Sequence, residues 1–131
     1  MKKKLSVFIF STLLFGCAPS LMMVQAENRS KLNNISLGIS KSEVLNIMGT
    51  STVKVASPVG WVYINSPYRS ETMEESGKSY EILFFWTDTK KNASVVVDDD
   101  LTPIVLYNNK VVGYGWRYLK DNIRRYQIDI R

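Results

Sequence analysis

The sequence predicts an α+β domain: two short N-terminal helices packed on an antiparallel β-sheet, then a short C-terminal helix and an extended tail. Three observations carry this. Ser40-Lys41-Ser42-Glu43 has the S-x-x-E form of a capping box, and Val44, Ile47 and Met48 follow on one helical face. Residues 79–87, SYEILFFWT, alternate in the period of a strand. Asn108-Asn109 separates two apolar runs, Ile104–Tyr107 and Val111–Trp116, by the two residues of a tight hairpin.

An export signal precedes this domain. Lys2-Lys3-Lys4 is a positive start, and residues 5–15 (LSVFIFSTLLF) hold eight apolar residues in eleven. The run suits a signal peptide and falls short of the roughly 20 residues that span a bilayer. Two cut sites compete. Leu14-Phe15-Gly16-Cys17 has the look of a lipobox, with Cys17 as the acylated first residue; Phe15 departs from its usual small residue. Val24-Gln25-Ala26 has the small-residue look of an ordinary signal peptidase site. The lone cysteine directly after the apolar run favours the first. The organisation expected is a signal over 1–16, a lipidated tether over 17–26 and the α+β domain over 27–131.

Within the domain the elements follow in order. A first helix is expected over about 27–34, with Leu32 and Ile35 toward the core. Gly38 is the turn that reverses the chain. Ser40 and Glu43 cap the second helix, Val44 lies on its buried face, and Gly49 stops it in a left-handed conformation. Val53, Val55 and Trp61–Ile64 read as extended, punctuated by Pro58-Val59-Gly60 and Asn65-Ser66-Pro67. Ser76-Gly77-Lys78 turns a strand near 69–75 into the strand at 79–87. There Tyr80, Ile82, Phe84 and Trp86 are expected to face the helices, leaving Leu83 and Phe85 on the outer sheet face. Residues 88–100 form a polar loop, and Pro103 opens the next strand. Gly113 and Gly115 share one face of the returning strand and imply close approach by another element. Trp116, Leu119, Ile123 and Tyr126 recur with helical spacing before an alternating end.

Composition removes several chemistries. The 131 residues contain no His and one Cys. A Ser-His-Asp triad, a His-ligated metal, an internal disulfide and a CxxC pair are therefore excluded. The formal charge of +5 comes from 17 basic and 12 acidic residues, but loss of residues 1–16 removes three Lys and leaves +2. A nucleic-acid partner thus has no compositional support.

Candidate sites are few. Asp98-Asp99-Asp100 lacks the alternating ligands and glycine of a calcium loop, so no metal is expected there. Arg117, Lys120, Arg124 and Arg125 form a basic stripe, with Asp121 spaced for surface pairs; a solvated face is the simpler reading. Glu71, Glu74, Glu75 and Glu81 have no context for acid–base work, so no catalytic residue and no cofactor are expected. Trp61, Tyr63, Tyr68 and Arg69 are residue types that anchor interfaces, and Leu83 and Phe85 extend that candidate binding surface across the outer sheet face.

The phrase Leu37-Gly38-Ile39-Ser40-Lys41-Ser42-Glu43-Val44, then Met48-Gly49-Thr50 and an antiparallel sheet, resembles the BamE (SmpA/OmlA) superfamily of small bacterial lipoproteins. Gly38, Val44 and Gly49 match the family phrase as turn, core and helix stop. The segment 57–78 and the C-terminal extension depart from BamE itself, which places the chain in a separate branch. The resemblance implies a non-catalytic scaffold or adaptor in the cell envelope, with the palmitate-type lipid on Cys17 in the outer membrane and an envelope protein as partner. The rival expectation is a soluble periplasmic or secreted inhibitor-like module cut after Ala26. A weaker one is a small-ligand or glycan binder using Trp61 and Tyr63.

Overall fold

A computed structural model describes residues 18–90 and 95–126. The predicted signal, Cys17 and the expected tail from residue 127 lie outside the described residues. The order is helix α1 (Leu21–Leu32), helix α2 (Lys41–Met48), strands β1 (Val53–Ser57), β2 (Gly60–Ile64), β3 (Arg69–Glu75), β4 (Lys78–Trp86), β5 (Leu101–Tyr107) and β6 (Lys110–Tyr114), and helix α3 (Gly115–Asn122). Single 3-10 turns lie at Asp98–Asp100 and Arg124–Tyr126. Strands β3 to β6 form an antiparallel meander, and β1 and β2 form a separate hairpin. The α+β class read from the sequence is the fold observed.

Local chemistry explains the tight elements. The Ser40 amide donates to Glu43 Oε2 at 2.7 Å, and the Glu43 amide donates back to Ser40 Oγ at 3.2 Å. This closes both free ends of the first turn of α2. The Ser40 amide and hydroxyl hold the exposed Glu43 carboxyl below its usual pKa. Asn108 and Asn109 both take positive φ, 49° and 62°, as a two-residue hairpin with right-handed twist requires. Strand β5 begins at Leu101, earlier than expected. Pro103 lies just before the first β6 pairing, Ile104 with Tyr114, a position at which a strand tolerates a missing N–H.

Two expectations are corrected. Helix α1 begins at Leu21, not near 27, so residues 21–26 are helix and not tether. Ser20 Oγ caps it by accepting from the Met23 amide at 3.2 Å. The sequence hid this because α1 has no apolar stripe. Polar side chains dock it: Asn28 Nδ2 donates to the Trp86 carbonyl at 2.9 Å, and Gln25 Nε2 to Thr89 Oγ1 at 2.7 Å. Arg29 donates to the Thr87 carbonyl as well.

The second correction concerns β4. Leu83 and Phe85 are buried, in one cluster with Ile35 and with Val44 and Met48 of α2. Ile82, Phe84 and Trp86 face the other way, onto Leu119 and Ile123 of the C-terminal segment and Val55 and Ile64 of the hairpin. Alternation divides a strand into two faces but does not say which face is left open. Here neither is. The expected outer face is the one α2 covers.

Gly113 meets the close approach its sequence position implies: a Cβ there would fall on the Tyr118 ring of α3. Gly115 does not, since the strand ends at Tyr114 and Gly115 opens α3 with no neighbour against it. Gly113→Ala is therefore expected to cost about 2 kcal/mol, the scale of core overpacking. Urea denaturation measures it, and in a double-mutant cycle with Tyr118→Ala, which removes core packing of its own, the two losses should fall well short of additive. An effect within about 0.5 kcal/mol, the scale of a neutral surface change, would show that the approach is not tight.

Candidate functional site

The site is built by the β1–β2 hairpin. Its register pairs Lys54 with Tyr63, Val55 with Val62 and Ala56 with Trp61. Period-two alternation then sends Val55 and Ile64 into the core and Lys54, Ala56, Trp61 and Tyr63 outward. Trp61 and Tyr63 remain 58% and 63% exposed, unusual for rings of that size. Lys54 Nζ lies 4.6 Å from the Trp61 ring centroid and 6.0 Å from that of Tyr63, over both faces.

Behind these rings is a groove of about 410 Å³, bordered by Val59, Val62, Tyr68, Trp86 and Val96 as well as Trp61 and Tyr63. Its wall is fixed. Trp86 Nε1 donates to the Asp88 carbonyl at 2.7 Å, and the Tyr68 ring meets Trp86 edge-on with centroids 5.6 Å apart. The Tyr68 amide donates to the Phe84 carbonyl at 2.8 Å, which sets the ring at the mouth.

The structure thus brings Trp61, Tyr63 and Tyr68 together and separates the other three predicted binding residues from them. Leu83 and Phe85 lie in the core under α2, so they do not extend the surface. Arg69 is occupied internally. Its guanidinium stacks 4.2 Å from the Phe84 ring centroid, and Nη1 pairs with Asp98 Oδ1 at 2.8 Å. Its Nε lies 3.3 Å from Glu71 Oε1 without the alignment of a hydrogen bond. The residues read as structural stand at their turns: Gly38 and Gly49 have φ of 86° and 87°, and Val44 is fully buried.

Two residues have roles that the sequence does not show. Asp100 is fully buried. Its Oδ1 accepts from the Lys90 amide at 2.6 Å and its Oδ2 from the Val97 amide at 3.1 Å. Its carbonyl accepts from the Thr87 and Asp88 amides at 3.0 and 3.1 Å. It therefore fixes both ends of the 88–100 loop and sets Val96 beside the groove. Only tertiary contact tells it apart from Asp98 and Asp99 beside it. At the loop mouth the Lys90 side chain and then the Thr89 amide hold the Asp88 carboxyl below its usual range, while Asp88 raises Lys90. Tyr126 is the other. Its buried ring meets Trp116 with centroids 5.9 Å apart, and its hydroxyl donates to Glu71 Oε2.

The remaining charges are paired or solvated. Arg117 and Arg124 each lie 3.9 Å from a carboxylate, Asp121 and Glu75, and Arg125 reaches Met73 Sδ at 3.5 Å. Glu81 accepts from Lys41 Nζ at 2.5 Å, and Glu74 is exposed on β3. Among the described residues, no group of three or more His, Cys, Asp or Glu is placed to hold a metal ion. No helix among them is long and apolar enough to cross a membrane. The groove offers ring faces and one cation, which is contact chemistry.

Residues 22–121 match a family described as Protein of unknown function (DUF3192). The chain belongs to this family. The DUF3192 match runs from the second residue of α1 to the penultimate residue of α3, so α1, the hairpin and the groove lie inside it. No curated protein and no solved structure matches the chain.

Tyr126 supplies a prediction in pH. Burial, then the hydrogen bond to Glu71, raises its hydroxyl well above the ordinary value of 10.0. The folded state therefore holds this proton more tightly than the unfolded chain. Its stabilisation is complete below pH 10 and is lost as pH rises from there toward the folded pKa. Tyr126→Phe is expected to lower stability at neutral pH by about 1.5–3 kcal/mol, the scale of one hydrogen bond to a charged acceptor. It should also flatten the alkaline loss. Urea midpoints for both proteins from pH 7 to about 11 read this; parallel alkaline curves would show that Tyr126 does not carry it.

Proposed function

We propose that this DUF3192 protein is a cell-envelope lipoprotein, held by lipid on Cys17, that acts as a non-catalytic scaffold or adaptor. Its groove at Trp61, Tyr63 and Tyr68 receives an envelope protein, in outer-membrane assembly or maintenance. The observation that carries the reading is the groove behind the hairpin, with a wall fixed by Tyr68 and Trp86. A preformed apolar groove with aromatic walls has the shape and residues of a contact hot spot. Kinship with BamE-like lipoproteins is part of the proposal. It is supported by the Ser40–Glu43 box between the left-handed Gly38 and Gly49, set against an antiparallel sheet.

Two features favour the anchor at Cys17 over release after Ala26. Ala26 lies in the middle of α1, and a cut there removes the Ser20 cap together with the buried Leu21 and Gln25. The family match also begins at residue 22, ahead of the rival cut. An outer-membrane site facing the periplasm is favoured by Ala18, not Asp, after Cys17.

Metabolic labelling with a fatty-acid analogue tests the anchor: wild type is expected to carry label and Cys17→Ala none. A mature chain beginning at Glu27 by mass spectrometry would instead establish the soluble form. Crosslinking in intact envelopes tests the partner. Val96→Glu places a charge in the groove and leaves the outer face of the hairpin untouched. It is expected to weaken capture of the partner about thirtyfold, the equivalent of roughly 2 kcal/mol at a hot spot. Because Val96 also packs against the core, Val59→Glu at the exposed rim of the groove is the companion variant, expected to weaken capture with the thermal midpoint little changed. Unchanged capture would remove the groove from the interface. Recovery of a single soluble enzyme would favour the inhibitor-like reading.

A further inference from the structure

Cys17 stands three residues before Ser20, so at most about 11 Å of extended chain separates them. Ser20 does not hang free: it bridges in parallel to Ala56 of β1, and the Pro19 carbonyl accepts from the Ala56 amide at 3.3 Å. Ala56 is in turn the cross-strand partner of Trp61. Neighbouring strands lie close to 4.8 Å apart. The Trp61 backbone is therefore within about 20 Å of the Cys17 backbone, wherever the intervening chain runs.

From this path we infer that the outer face of the β1–β2 hairpin, Lys54, Trp61 and Tyr63, rests in the lipid head-group layer beside the anchor. The inference rests on the lipid at Cys17 proposed above and adds how the domain is oriented on it. Three observations select lipid as the occupant. The residue types are right: Trp and Tyr, apolar bodies with a polar edge, concentrate at the membrane interface, and a lysine stem lies along apolar surface while its charge stays wet. The charge is right as well. No Asp or Glu occurs from Val44 to Ser70, so the hairpin itself carries Lys54 as its charge and no acid of its own to repel anionic lipid. The apolar exposure also clusters near the anchor. Met22 and Met23, in the first turn of α1, are 78% and 64% exposed, and Val59 at the hairpin tip 57%. The groove then opens along the membrane surface, so a protein partner reaches it at head-group level.

Tryptophan emission reads this directly. Trp86 is buried and Trp116 partly so, which leaves Trp61 as the exposed reporter. The full lipidated chain is reconstituted in vesicles of phosphatidylethanolamine and phosphatidylglycerol that carry a spin label near the head group. Emission is expected to be strongly quenched, Trp61→Phe to lose most of that quenching while still floating with vesicles, and Lys54→Glu to reduce it. A chain without acyl mass on Cys17 overturns the anchor reading and this inference with it. A lipidated, floating chain whose Trp61 is unquenched overturns this inference alone. So does a Trp61 that is shielded only when envelope proteins are reconstituted with it, which assigns the face to a protein.

Discussion

From Ile82 to Trp86, β4 is apolar on both faces and buried throughout. A strand of that kind is stable only when both faces are covered. The rest of the chain meets this need. The helix pair before the sheet lays Val44 and Met48 on Leu83 and Phe85. The chain after the sheet brings Leu119, Ile123 and Tyr126 back onto Ile82, Phe84 and Trp86. The β1–β2 hairpin closes what remains of that second face with Val55 and Ile64. It is a lid for the core on its inner side, which is why its outer side is free to carry exposed rings without loss of fold.

The C-terminal end of β4 is the junction of all these parts. Its last carbonyls, at Trp86 and Thr87, take the docking side chains of α1, Asn28 and Arg29. The Trp86 ring forms the groove wall, and Thr87 and Asp88 are gripped by the Asp100 carbonyl. One stretch of three residues, Trp86 to Asp88, therefore couples the entry of the chain, the loop and the groove. A buried carboxylate in this place is stable because amides satisfy both its oxygens, and it would be costly with either one left open. Arg69 has the same logic on the next strand. A guanidinium over Phe84 with the Asp98 carboxylate at its edge ties β3 to the 88–100 loop.

What the sequence disclosed and what it hid follow from the range of each interaction. The α2 cap, the Asn108-Asn109 turn and the Ser76-Gly77 turn depend on neighbours within a few residues, so their signals are local. Helix α1 depends on Asn28 and Gln25 reaching chain some 60 residues away, and a helix docked by polar groups leaves no apolar period to read. The exposed Trp61 and Tyr63 were visible as residue types, because their hairpin is punctuated at Pro58-Val59-Gly60. Leu83 and Phe85 looked equally exposed, since both faces of their strand are apolar and α2 is distant in sequence. Asp100 and its neighbours Asp98 and Asp99 are identical in composition; one of the three points inward only because Lys90 and Val97 come to it.

The early start of α1 also changes the mechanics of an anchor at Cys17. A flexible tether of nine residues, 18–26, would let the domain roam, with an end-to-end distance of about 17 Å and a full reach near 30 Å. The observed chain is fixed to β1 by Ser20 and turns into helix at Leu21, so at most about 11 Å of it is free. A domain of this size on so short a lead cannot choose its orientation freely. On the anchor proposed at Cys17, the lead leaves the domain beside Ser20 and Ala56, so that edge of β1 is the part of the domain held nearest the lipid. Short tethers raise the effective concentration of what they hold near one surface and abolish reach to distant ones. An adaptor so mounted meets partners at the membrane plane, and the polar docking of α1 by Gln25, Asn28 and Arg29 is the feature that keeps the lead short.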